Sequence, residues 1–144
     1  MTCVLCSKLE LIKENNFKFI IHEFKNSYWI LGDHQFFKGY SQIIFKDHVR
    51  DLHELSKATQ RDLFMEVMEA DKISRLTLSP WKMNLSLYGN AVPHIHWHLF
   101  PRYENEVDCK KVPWTYMNDF DSVPTEKTDY HNLIQQFRKH LEEA

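Results

Sequence analysis

Five segments of the chain are rich in aromatic and β-branched residues and are separated by turn-forming residues, a pattern that predicts β-strands. They are residues 17–24, 28–31, 40–45, 83–87 and 92–100. In the last of them, polar and apolar residues alternate from His94 to Leu99, as on a strand with one buried face. The pattern therefore predicts a sheet of three consecutive strands joined, further along the chain, by two more.

Two other segments carry apolar residues at intervals of three and four, the spacing of an amphipathic helix. The first predicts a long helix from about residue 55 to residue 76, with Thr59–Asp62 in the form of a capping box. The second predicts a C-terminal helix from Tyr130 to Leu141. Residues 102–124 are polar and contain prolines, so they predict a loop. We expect Trp114 to pack this loop against the sheet, and the alternative is that it stacks on a base. This order of elements favours an α+β fold with an antiparallel sheet.

Length and charge narrow the class of protein. The 144 residues predict one domain, residues 1–144. The 18 Lys and Arg residues and 20 Asp and Glu residues give a net charge of −2, which disfavours a protein that coats nucleic acid. No apolar run is long enough for a transmembrane helix, and the first residues show no signal-peptide pattern. We therefore expect a cytoplasmic protein with neither nucleic acid nor a membrane as its partner.

Three histidines dominate the fifth predicted strand. Because His94, His96 and His98 alternate along it, their imidazoles share one face, about 6.5–7 Å apart, and the apolar residues between them face the core. A strand face that meets only water usually mixes Lys, Glu, Thr and Ser, so three histidines in register favour a functional site. Imidazole can act as a nucleophile, a proton donor or a metal ligand near neutral pH. The histidines expected to be solvated are His34, His53, His131 and His140.

The histidine strand resembles the signature of the histidine triad (HIT) superfamily of nucleotide hydrolases and transferases. That signature is His-φ-His-φ-His-φ-φ, where φ is apolar, and His94–Phe100 matches it. The flanking segments that are also similar to the family are residues 45–52, 83–84, 89–93 and 101–102. The resemblance spans roughly residues 3–103, whereas about residues 103–144 match nothing specific. It implies a HIT-like α+β fold with a five-stranded antiparallel sheet, one long helix and a C-terminal helix.

The resemblance also implies a reaction and its residues. By position, His96 is the nucleophile that attacks the α-phosphorus and forms a covalent nucleotidyl-histidine, and His98 hydrogen-bonds the phosphate. Asn84 and Asn90 would contact ribose or phosphate, and Asp33 matches the ribose-binding acid of the family. The implied substrates are dinucleoside polyphosphates, such as diadenosine tetraphosphate, or adenylylated small molecules. Family members are commonly homodimers, so we expect a homodimer here.

Three departures from the family pattern keep other functions open. Asn90 stands where Gln is usual, Tyr40 follows Gly39 where histidine is common, and Ala91 replaces a Ser or Thr that helps to protonate an amine leaving group. The loss of that hydroxyl disfavours a nucleoside phosphoramidase without removing it as an alternative. A nucleotide-binding regulatory protein with little turnover and a small zinc module that binds a partner protein are further alternatives.

Cys3 and Cys6 form a Cys-x-x-Cys motif near the start of the chain. In a cytosolic protein this spacing suggests metal or redox chemistry, and the alternative is two free thiols. Two cysteines by themselves need two further ligands to complete a zinc site. The resemblance supplies them as His48 and His94, because zinc-containing HIT proteins use the equivalent histidines. Four protein ligands would make this zinc structural, since no position is left for water.

Overall fold

The computed structural model describes residues 2–143 and contains a five-stranded antiparallel sheet with the strand order β1-β2-β3-β5-β4. The strands are β1 Ile20–Glu23, β2 Ser27–Leu31, β3 Ser41–Phe45, β4 Lys82–Ser86 and β5 His96–Arg102. The predicted α+β fold and its five strands are confirmed. The fifth strand, however, begins at His96 and continues through Pro101 to Arg102. Proline is tolerated there because pairing with β3 has already ended at Leu99.

Within residues 2–143, three α-helices accompany the sheet: α1 Val4–Lys13, α2 Lys57–Leu78 and α3 Tyr130–Glu143. The long helix and the C-terminal helix are as predicted, but α1 was not predicted. The predicted capping box at Thr59–Asp62 is wrong. Ser56 caps α2 instead, because its hydroxyl accepts a hydrogen bond from the backbone N–H of Thr59 at 3.1 Å. None of the helices described for residues 2–143 is long and apolar enough to cross a membrane.

The two faces of the sheet bury different elements. On one face, Trp97 and Leu99 of β5 join the apolar sides of α2 and α3 in the main core, as the strand alternation predicted. On the other face, Leu5 and Leu9 of α1 pack against β2 and β3 in a smaller cluster. The odd-numbered residues Trp97 and Leu99 of β5 therefore face the main core, whereas His96 and His98 lie on the face that carries α1.

The segment after β5 is more ordered than a loop. It contains a 3₁₀ helix at Pro113–Ser122 that covers the sheet next to the histidines. Phe120 from this helix stacks on His34 with ring centroids 4.2 Å apart. The prediction that His34 is solvated is therefore wrong, since its exposed fraction is only 9%. Trp114 packs edge-on against His98 at 4.8 Å, so it does pack onto the sheet.

Candidate functional site

The three predicted histidines are buried. His94 precedes β5, and His96 and His98 lie within it, with exposed fractions of 0%, 6% and 9%. A strand face that meets only water is thereby excluded. The rings of His96 and His98 are neighbours, with centroids 4.9 Å apart, whereas the ring of His94 lies beside His48, at 5.2 Å. The three histidines thus belong to two sites: His96 and His98 to one, and His94 to the other.

His96 is held in one tautomer. Its Nδ1 lies 2.6 Å from the backbone carbonyl oxygen of His94. A carbonyl oxygen can only accept a hydrogen bond, so Nδ1 carries the proton and Nε2 keeps its lone pair. Burial lowers the pKa of His96 below its usual value. The ring is therefore neutral near pH 7 and offers an unprotonated nitrogen that can act as a nucleophile.

His98 is hydrogen-bonded to two polar residues, Tyr40 and Gln42, in and just before the neighbouring strand β3. Its Nδ1 lies 2.7 Å from the hydroxyl oxygen of Tyr40, and the amide nitrogen of Gln42 lies 3.1 Å from that same oxygen. Burial lowers the pKa of His98 to about 3. His98 therefore stays neutral over the physiological range of pH.

His96 and His98 line a cavity of about 660 Å³, a volume typical of small-molecule sites. One apolar wall comes from Val4 and Leu5 of α1. Further apolar lining comes from residues after β4 and β5: Tyr88, Val92, Val112, Trp114 and Met117. Among the described residues that line the cavity, the only Lys, Arg, Asp or Glu are Lys8 and Asp33, which form an ion pair at 3.0 Å.

The structure brings most, but not all, of the predicted substrate residues to this cavity. Asp33 and Asn90 line it. Asn84 does not, because its side-chain oxygen accepts a hydrogen bond from Arg102 at 2.9 Å on another part of the sheet. Sequence reasoning missed Lys8, since α1 was not predicted, and it also missed Gln42. The alternation of β3 could have identified Gln42, which pairs across the sheet with His98.

A second cluster combines the two cysteines with two histidines. One ligand atom from each of Cys3, Cys6, His48 and His94 lies within 4.8 Å of the others. The Nδ1 atom of His94 is 3.6 Å from both sulfurs and 3.3 Å from Nδ1 of His48. Zinc bond lengths of about 2.0–2.3 Å in a tetrahedron place ligand atoms about 3.3–3.8 Å apart, so these spacings fit a tetrahedral ion. The cluster could therefore hold a metal.

The second nitrogen of His94 prepares the ring for this role. Nε2 lies 2.8 Å from the backbone carbonyl oxygen of Phe45, to which it donates its proton. Nδ1 is then left with the lone pair that faces the cluster. Hydrogen bonding of the distal nitrogen to a carbonyl is the usual way in which a ligating histidine is oriented.

Two adjacent buried imidazoles of β5 line a cavity, and a third histidine, two residues before them, faces a Cys/His cluster. Together they define a histidine-triad site. The comparison with protein families agrees, because the model of the HIT domain matches residues 13–105. The chain belongs to the HIT family, a family of nucleotide-binding and hydrolase-type proteins.

Solved structures show the same fold. A histidine triad protein from Bradyrhizobium japonicum has a TM-score of 0.75 and 18% identity, over 89% of this chain and 92% of its own. A hypothetical histidine triad nucleotide-binding protein from Sulfolobus tokodaii has a TM-score of 0.74 and 20% identity, over 96% and 93%. A Zn-bound histidine triad family protein from Mycobacterium smegmatis has a TM-score of 0.69 and 22% identity, over 99% and 95%. No curated protein matches the sequence significantly.

Proposed function

We propose that the protein is a nucleotide hydrolase or nucleotidyl transferase that works through a covalent nucleotidyl-histidine. Nε2 of His96 attacks the α-phosphorus, and the bond between that phosphorus and the leaving-group oxygen breaks. Water, or another hydroxyl acceptor in a transfer reaction, then attacks the same phosphorus and gives up a proton to solvent. The bond between phosphorus and Nε2 breaks, which releases the nucleotide product and restores neutral His96. The observation that carries the proposal is the hydrogen bond from Nδ1 of His96 to the carbonyl of His94, which leaves Nε2 free in a buried, neutral ring.

The cavity supports a nucleotide as the substrate. Its apolar walls suit a base, Asp33 and Asn90 offer polar groups for a ribose, and Lys8 supplies a cation for phosphate oxygens. Dinucleoside polyphosphates such as diadenosine tetraphosphate, and adenylylated small molecules, are the proposed substrates. Ala91 lines the cavity without a hydroxyl, so it supplies no proton for an amine leaving group. A nucleoside phosphoramidase is therefore less favoured than the hydrolase and is kept as the second candidate.

We further propose that Cys3, Cys6, His48 and His94 bind a structural zinc ion. The distances of 3.3–3.6 Å from Nδ1 of His94 to the ligand atoms of the other three residues support this. A Zn-bound protein of the same fold makes zinc the first metal to test. The ion would link α1 to the segment that leads into β5. It would supply no chemistry at His96, because four protein ligands leave no position open.

Intact-mass spectrometry under an alkaline quench tests the reaction. The protein is mixed briefly with diadenosine tetraphosphate, an adenosine phosphoramidate or their guanosine counterparts. We expect an adduct of one nucleoside monophosphate on the wild type and on His53→Ala. His53 is the control because it is exposed and does not line the cavity. His96→Ala should form none.

The outcomes separate the candidate functions. Equal adducts on the wild type and His96→Ala would rule out His96 as the nucleophile. A nucleotide that raises the melting temperature without an adduct or product would replace the hydrolase with a binding protein. An adduct formed only from the phosphoramidate would favour the phosphoramidase.

A further inference from the structure

We infer that Tyr40 is a positioning residue whose hydroxyl locks His98 in the tautomer with its proton on Nε2, so that His98 presents a fixed N–H donor to the cavity. The inference rests on the proposed function for its chemical meaning, since the donor would bind a phosphate oxygen beside His96. Its structural basis is independent of any substrate.

Two hydrogen-bond donors converge on Nδ1 of His98. The hydroxyl oxygen of Tyr40 is 2.7 Å away, and the amide nitrogen of Gln42 is 3.5 Å away. That amide also donates to the Tyr40 oxygen at 3.1 Å. An amide N–H can only donate, so Tyr40 accepts from Gln42 and directs its own proton to Nδ1 of His98. A nitrogen that accepts carries no proton, so a neutral His98 must carry its proton on Nε2.

The fold holds Tyr40 rigidly enough for this task. Its ring is 4% exposed and lies parallel to the rings of Phe100 and His34, with centroids 4.4 Å and 4.5 Å away. Gly32 leaves room for the ring, because a Cβ atom at that position would overlap it. Burial also raises the pKa of Tyr40 above its usual value, so the hydroxyl keeps its proton.

Two successive histidines on one strand face are thus held in opposite tautomers. A carbonyl oxygen fixes the proton of His96 on Nδ1, and a hydroxyl donor fixes that of His98 on Nε2. The cavity therefore meets a lone pair from one ring and an N–H from the next. In the proposed reaction, His98 donates to a non-bridging phosphate oxygen as negative charge develops and does not give up its proton.

The tautomer can be read directly from the protein without substrate. Long-range ¹H–¹⁵N spectra of histidine side chains distinguish a protonated nitrogen from an unprotonated one, and His98→Asn identifies the His98 signals. We expect the wild type to show His98 protonated on Nε2 only. Tyr40→Phe should shift both nitrogen signals toward a mixture of tautomers.

Tyr103→Phe is the matched control, because its hydroxyl donates to the carbonyl of Lys38 at 2.7 Å, away from the histidines. It should leave the His98 signals unchanged. In turnover, Tyr40→Phe should lower kcat about tenfold, the effect of one hydrogen bond of ordinary strength, with KM within about twofold.

A wild-type His98 protonated on Nδ1, or a pure Nε2–H tautomer that persists in Tyr40→Phe, would overturn the inference. If Tyr40→Phe does not fold, the wild-type spectrum still decides, since a proton on Nδ1 is incompatible with the hydrogen bond from Tyr40. The expected spectra without turnover of any nucleotide would retain the inference and overturn the proposed function instead.

Discussion

At the scale of single residues, the site depends on which nitrogen or oxygen holds each proton. The two cavity histidines differ in their hydrogen-bond partners more than in their burial, because both are almost fully buried. Partner type, acceptor or donor, decides the role of each ring. The charged residues of the cavity, Lys8 and Asp33, lie outside the histidine strand, so the residue pattern of the strand does not reveal them.

Lys8 is predicted to bind phosphate. Lys8→Met removes the charge while keeping the apolar stem, so the affinity for AMP should fall about tenfold while the affinity for adenosine changes little. Isothermal titration calorimetry of both ligands measures the difference. Lys13→Met, on the same helix but largely exposed, is the control. An equal loss of affinity for AMP and adenosine would mean that Lys8 matters only for packing.

His34 is predicted to make the fold sensitive to acid. Its ring is buried between Tyr40 and Phe120, and burial lowers its pKa to about 4. The unfolded chain takes up a proton near pH 6.5, whereas the folded chain does so only near pH 4. The contribution of His34 to stability is therefore complete above pH 6.5 and is lost as the pH falls toward 4.

Urea unfolding at pH 7.5 and pH 5 tests this effect. The wild type should lose about 2 kcal/mol more between the two pH values than His34→Phe does. Other buried histidines contribute equally to both proteins and cancel in the comparison. His131→Phe, at an exposed position of α3, should behave like the wild type. Equal losses in the wild type and His34→Phe would contradict the prediction.

At the scale of elements, α1 connects the Cys/His cluster to the cavity. Cys3 caps the helix, its sulfur accepting the backbone N–H of Cys6 at 3.4 Å, and both cysteines belong to the cluster. From the same end of the helix, Leu5 and Lys8 line the cavity. A helix of ten residues is marginal without tertiary support, so its position depends on what anchors its ends.

Removal of the metal is therefore predicted to weaken both stability and nucleotide binding. Cys6→Ser should lose the bound zinc, lower Tm by about 10 °C and lower the affinity for AMP, because α1 loses its anchor. Zinc content, thermal unfolding and calorimetry give the three values. Cys109→Ser, outside the cluster, should retain all three. A stoichiometric loss of zinc that leaves AMP affinity unchanged would show that α1 is held by packing alone.

At the scale of the whole molecule, several of the exposed large apolar side chains lie on α2 and on or next to the edge strand β4. These are Phe64, Met65, Leu76, Trp81, Leu85 and Leu87. An edge strand with its outer side unpaired is a ready surface for a second chain. This distribution supports the homodimer implied by the family resemblance.

Analytical ultracentrifugation is predicted to show a particle of twice the 17.4 kDa chain mass. The double variant Met65→Glu, Leu85→Glu places a charge on α2 and another on β4. It should be a monomer, because burying an unpaired carboxylate in the dimer interface is costly. Val107→Glu changes an exposed apolar residue elsewhere and should remain dimeric. A monomeric wild type would contradict the expected homodimer.

Much of this molecule could be predicted from local pattern. Alternation over His94–Leu99 is enough to assign the buried face and the cavity face of β5, and helical spacing is enough to locate α2 and α3. These features follow from periodicity, which depends only on neighbouring residues. The error at the start of α2 arose because Ser56 and Thr59 can both cap a helix, and the packing of the preceding segment decides between them.

The sheet and its histidine strand could be predicted from the residue pattern alone, and the family resemblance added the four residues of the Cys/His cluster. Only the tertiary structure decided which partners fix the protons. Tyr40 and His98 are 58 residues apart, and Cys3 and His94 are 91 apart. No local pattern encodes such pairs, because they arise when packing brings distant strands and α1 to one sheet face. The same reason explains why Lys8 belongs to the cavity and why Asn84 lies outside it.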